Sequence, residues 1–144
     1  MKQVNPYLNF RRETAEAFRF YGEVFGTEPQ IFTFRDFGEH GAGLPEDERD
    51  LVMHAYLPLG DGYALMASDV PSSLGLTMAK GNDFHVMIEA DSAEEARRLY
   101  ERLSAGGEVQ MPLQETDWAE LYANFTDRFG VGWMINFTGS KAAS

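Results

Sequence analysis

The strongest constraint in this chain is that one pattern of elements is written twice. "PYLNFRRETAEAFRFYGEVFG" runs from a short apolar strand into an amphipathic helix that stops at Gly26. "HVMIEADSAEEARRLYERLSAGG" does the same and stops at Gly106 and Gly107. Ala17, Phe20 and Tyr21 of the first copy align with Ala96, Leu99 and Tyr100 of the second, and recurrence at helical spacing directs both sets toward a core. Ser92 is a good N-cap for the second helix, and Glu95 three residues on completes a capping box. The glycines after both helices supply the left-handed residue that ends them.

The segments after each helix also repeat. "PQIFTFRDF", "DLVMHAYLPL" and "GYALMASD" come after the first; "EVQMPLQET", "AELYANFTD" and "VGWMINFTG" come after the second. "LGDGY" and "FGVGW" are matching tight connections, pairing Gly60 and Gly62 with Gly130 and Gly132. Each half therefore reads strand, helix, strand, strand, strand, an α+β chain of two βαβββ modules at 4–69 and 83–138. "VPSSLGLTMAKGN" at 70–82 is the linker between them. One helix cannot cover both faces of a four-stranded sheet, so two copies are expected to pack or pair around a cavity. A polar stretch at 38–50, "GEHGAGLPEDERD", reads as an exposed loop or as a lid over that cavity.

Composition narrows the chemistry. At 144 residues the chain is most simply one domain, 1–144, and the absence of cysteine excludes disulfides, thiolate metal sites and a thiol nucleophile. A net charge of −11 with scattered arginines argues against a nucleic-acid partner, which needs clustered Lys and Arg. "MKQVNPYLNF" lacks the apolar centre of a signal peptide, and no apolar run approaches the roughly 20 residues of a bilayer span. A cytoplasmic protein without a membrane partner is expected.

Several polar residues are placed where they could meet a ligand. His54, in "VMHAYLPL", stands among apolar neighbours, either as a satisfied core histidine or as an acid–base group with a near-neutral pKa. Asp69 closes "LMASD", where it either begins the turn before Pro71 or stands at a pocket rim. "PLQETDWAELYANF" offers Gln114, Glu115, Trp118, Tyr122 and Asn124, and an aromatic with an N–H or O–H can stack on a ligand while orienting it. For Trp118 pocket and core are evenly weighted, whereas Trp133 in "VGWMINF" reads as core. There is no G-x-S-x-G elbow, and His40, His54 and His85 share no helical metal-binding spacing.

The double βαβββ pattern resembles the vicinal-oxygen-chelate superfamily, which includes glyoxalase I, bleomycin-resistance proteins and extradiol dioxygenases. "NPYLNF", "AFRFYGEVFG", "VMHAYLPLGDGYALMASD" and "QETDWAELYANFTDRFGVGWMINF" carry the likeness across both halves, and are most similar to the PhnB-like branch, often labelled a 3-demethylubiquinone methyltransferase domain. The resemblance implies a homodimer with cup-shaped, partly open mixed sheets. It places Gln114 and Trp118 at the cavity mouth, gives His54 a cavity-facing strand and keeps a rim position open for Asp69 beside its role in the turn. Methyl transfer is not expected, because no glycine-rich turn follows a first strand in the manner of the common S-adenosylmethionine enzymes.

Glyoxalase-type members hold a divalent metal with residues at the start of the first strand and within the last strand of each module. Carried onto this chain, these positions fall on His85, near Asn5 or Pro6, near Leu65 or Met66, and near Met134. One good donor of four remains, since borderline divalent metals need imidazole or carboxylate ligands. No metal or other cofactor is expected, and His85 reads as a hydrogen-bonded or solvated strand-end residue or as a ligand contact. Three functions are left: a metal-free small-molecule-binding protein using His54, Trp118, Gln114, Tyr122, Asp69 and His85; a lyase or isomerase using a rearranged metal site or His54 as acid–base; or a structural or interaction protein whose pocket is vestigial.

Overall fold

The computed structural model describes residues 1–141, apart from the side chain of His40. The chain divides into two units, 1–79 and 80–144, each built on one copy of the repeat.

In the first unit β1 (Tyr7–Phe10) leads into α1 (Thr14–Phe25), followed by β2 (Gln30–Thr33), β3 (Val52–Gly60) and β4 (Tyr63–Asp69). The sheet order is β1-β4-β3-β2, with β1 parallel to β4 and the other pairs antiparallel. Alternation decides the faces: Leu8, Phe10, Ala55, Leu57, Leu65 and Ala67 are buried on the side covered by α1. Tyr7, Asn9, His54, Tyr56, Met66 and Ser68 fall on the other side, exposed or half-buried. α1 contributes Ala17, Phe18, Tyr21 and Val24 to the core. Phe20, read from spacing as a core residue, is only half-buried against Tyr21; Phe18, one turn before Tyr21, meets that ring edge-on instead.

The second unit repeats the plan with β5 (Val86–Glu89), α3 (Ala93–Ser104), β6 (Glu108–Gln114), β7 (Leu121–Thr126) and β8 (Gly132–Phe137), in the order β5-β8-β7-β6. α3 lays Ala96, Leu99 and Leu103 on the sheet, where Ala123, Phe125, Trp133 and Ile135 are fully buried. Ser92 caps α3 by accepting from the Glu95 N–H at 3.1 Å, while Glu95 accepts from the N–H of Asp91, one residue before the cap. Gly26 and Gly106 take left-handed φ values of 73° and 78° after their helices. At Gly107 a side chain is barred outright, because a Cβ would collide with the Thr126 carbonyl.

The polar stretch at 38–50 is more than solvated loop. It holds a one-turn helix, α2 (Gly38–Gly41), and a 3-10 turn (Glu46–Glu48), anchored by buried Leu44 and Glu48. Arg35 ties it down at 2.8 Å to both Glu46 and Asp50, and Glu48 accepts from the Ser72 hydroxyl and the Ser73 N–H.

Candidate functional site

His54 and Asp69 belong to the first sheet; Gln114 and Tyr122 belong to the second, with Trp118 on the connection between β6 and β7 and His85 just before β5. No hydrogen bond joins His54 to Asp69. The Asp69 carboxylate is 4% exposed and reaches back into the fold. Oδ1 accepts from the Thr14 N–H at 3.0 Å, capping α1 in place of a local N-cap side chain, and Oδ2 accepts from the Val52 N–H at 2.9 Å. Burial pushes this carboxyl above the usual aspartate range, against the pull of the two backbone donors. Asp69 thus joins β4 to the starts of α1 and β3.

His54 stands half-buried on the sheet face opposite α1. Its Nδ1 meets the Tyr7 hydroxyl at 3.1 Å, and the two rings stack with centroids 5.8 Å apart and planes 28° apart. Tyr7 lies on β1, so its side chain crosses β4 to reach β3. Tyr7 does not stand out in the sequence; the only signal is the alternation of "YLNF", which turns Tyr7 and Asn9 away from the helix.

The second sheet brings together more of the expected residues. Trp118, 46% exposed, meets the buried ring of Tyr122 edge-on with centroids 5.3 Å apart. Gln114 pairs with Tyr122 across β6 and β7 and is exposed. The indole N–H of Trp118 donates to Asn136 Oδ1 at 3.2 Å. The Asn136 amide is held in turn by donating to Glu89 Oε1 at 2.8 Å and to the Thr138 hydroxyl at 3.2 Å.

Glu89 closes this chain of contacts. Partial burial acts to raise its pKa, but the Thr138 N–H, the Asn136 amide and the Thr138 hydroxyl outweigh that and hold it below the usual glutamate range. As a carboxylate it only accepts, so the Asn136 amide must turn its NH2 toward Glu89 and its oxygen toward the indole. Neither Glu89 nor Asn136 stands out in the sequence, since their contact depends on the parallel pairing of β5 with β8.

Trp133 is fully buried, its N–H donating to Asp127 Oδ2 at 2.8 Å. His85 precedes β5, half-buried over Gly132, where a Cβ would stand 3.0 Å from the ring's Cδ2. It makes no hydrogen bond among the described residues.

The superfamily's metal can be tested against the donors present. Asn5 and Pro6 precede β1, Leu65 and Met66 lie in β4, and Met134 lies in β8. Leucine and proline side chains have no donor atom, asparagine is a neutral one, and thioethers suit soft ions, so this set does not fit an oxygen-chelating divalent metal. Among the described residues no three of His, Asp and Glu gather as a potential metal site.

Among the described residues no helix is long and apolar enough to cross a membrane. The chain is 28% identical to protein YjdN of Escherichia coli K12, over 92% of this chain and 93% of that one. The crystal structure of protein PA1353 from Pseudomonas aeruginosa is 39% identical, with a TM-score of 0.82 over 94% of this chain and 96% of that one. A Bacillus cereus structure titled as a putative 3-demethylubiquinone-9 3-methyltransferase, PhnB protein, is 20% identical and shares the fold, with a TM-score of 0.75 over 94% of this chain and 98% of that one. The family model of the glyoxalase/bleomycin resistance protein/dioxygenase superfamily matches residues 3–135, and the chain belongs to that superfamily.

Proposed function

We propose that this protein binds a small organic molecule as a single-domain, homodimeric, cytoplasmic member of its superfamily, without a glyoxalase-type metal. The observation that carries the reading is Trp118, which is nearly half exposed yet held through its N–H by Asn136. An exposed aromatic normally keeps its rotamer freedom; one fixed in advance loses little entropy when a ligand stacks on it. Tyr122 backs the indole, and exposed Gln114 supplies a neutral donor and acceptor beside it. His85 adds an imidazole at the start of β5.

Methyl transfer draws no support from this architecture. Each sheet is mixed, with one parallel pair, and neither carries the parallel strand–turn–helix repeat on which a Rossmann-like cofactor site is built.

Native mass spectrometry of the protein purified without added ligand, paired with elemental analysis, tests the reading. A bound organic molecule and no stoichiometric metal are expected. Trp118→Ala should weaken retention of that molecule about tenfold while leaving the melting temperature nearly unchanged. Stoichiometric zinc, nickel or manganese would overturn the metal-free part. Unaltered retention in the Trp118 variant would remove the platform.

A second reading, a lyase or isomerase, is favoured by the contact between Tyr7 and His54. It requires His54→Gln to abolish turnover with stability nearly intact; unfolding of that variant would instead make His54 structural.

A further inference from the structure

We infer that Tyr7 holds His54 in the Nε2–H tautomer, so that His54 meets a bound molecule as a hydrogen-bond donor to a carbonyl or carboxylate oxygen. This role deepens the second reading and rests on its premise that the exposed face of the first sheet contacts ligand.

Three observations carry it. Ala55 and Leu57 are fully buried beneath α1, which turns His54 to the opposite face of β3. The Tyr7 hydroxyl lies 3.1 Å from Nδ1, and near-parallel stacking of the rings fixes that approach. Nε2 has no hydrogen-bond partner among the described residues.

The direction of the proton is decided by the chemistry of the two groups. A phenol O–H is a good donor, while its oxygen is a poor acceptor because its lone pairs delocalise into the ring. The unprotonated imidazole nitrogen is the better acceptor of the pair, so Tyr7 donates to Nδ1. The bond at one ring nitrogen determines where the other proton sits, and here it leaves the hydrogen on Nε2. A neutral imidazole so arranged cannot accept a proton at Nε2. It can stabilise charge on a ligand oxygen from a fixed position, without reorganising as the charge develops. Tyr7 is on this view a positioning residue, acting through His54.

The test reads the tautomer directly, from two-bond proton–nitrogen correlations of the imidazoles at about pH 9, where a free imidazole is neutral. In the parent protein Nε2 is expected to carry the hydrogen and Nδ1 to show the shift of a hydrogen-bonded acceptor. Tyr7→Phe keeps the stacked ring and should raise the Nδ1–H share several-fold. Acetate, a bare carboxylate probe, should then move the His54 Nε2 resonance saturably where chloride at equal ionic strength does not. Its affinity should fall about threefold or more in Tyr7→Phe.

A dominant Nδ1–H tautomer in the parent would overturn the inference while leaving ligand binding at this face intact. The expected tautomer with no response to acetate would overturn the donor role. If the co-purified molecule also leaves every His54 resonance unmoved, the premise of a ligand on this face fails as well.

Discussion

Asp127→Ala is expected to destabilise the protein by about 3–5 kcal/mol, read as a fall in melting temperature of roughly 10 °C or more. Asp127 is 3% exposed and serves three donors at once. Oδ1 accepts from the N–H groups of Phe129 and Val131 at 2.8 and 3.0 Å, closing the connection between β7 and β8. Oδ2 accepts from the Trp133 indole at 2.8 Å, tying that turn to the largest fully buried side chain in the protein. Alanine would leave these donors without that partner, and the bonds from Val131 and Trp133 are buried ones. Asp127→Asn separates the contributions: one oxygen can still serve the turn, but the amide NH2 would face the indole N–H, so a loss near half that of alanine is expected. Chemical denaturation of both variants checks this, and an Asp127→Ala protein within about 0.5 kcal/mol of the parent would refute the account.

The second large effect belongs to the first module. Asp69→Ala removes the acceptor for two N–H groups, at the start of α1 and the start of β3, and is expected to cost about 2–4 kcal/mol. The pH dependence has a definite sign. Burial raises the folded pKa, so the stability linked to this group is fully present below the pKa of an unfolded aspartate and is lost as pH rises through the raised value. Asp69→Asn cannot ionise. Its deficit relative to the parent is therefore largest in acid and narrows toward neutral pH. Urea unfolding from about pH 3 to 7 measures this, and a deficit that widens with rising pH would show that the ionised form is the favoured one.

These two aspartates mark where sequence reasoning stops. The double module, its helices and the glycine stops are legible because they depend on periodicity and on partners a few residues away. Ser92 and Glu95 are of this kind, and even there the Glu95 bond falls on Asp91 instead of the cap residue. Asp69 reads locally as a turn former or a rim residue, since its partners at Thr14 and Val52 are brought near only by the completed sheet. The pairing of Tyr7 with His54 across an intervening strand is hidden for the same reason. Trp118 and Trp133 show the divide within one residue type. Trp133 sits in an apolar strand and is core, as its neighbours imply. Trp118 has polar neighbours that decide nothing locally; its orientation depends on Asn136 of β8 and Glu89 of β5.

The order of strands in each sheet has a consequence for how the chain reaches its fold. β3 and β4 close on each other through the short Asp61–Gly62 turn, and β7 and β8 through the segment between Thr126 and Gly132. β1 instead pairs Tyr7 with Met66, and β5 pairs Val86 with Trp133, at opposite ends of their modules. Joining distant segments costs more chain entropy than closing a hairpin, so the hairpin is expected to form first and the opening strand to dock on its β4 or β8 edge last. Stopped-flow kinetics separate the two events. Leu65→Ala, in the hairpin, should mainly slow folding, whereas Leu8→Ala, in β1, should mainly speed unfolding. Equal slowing of folding by both would place β1 in the nucleus. In the expected order, each module's first-synthesised strand is the last to be used, and it waits on a template that the chain has yet to make.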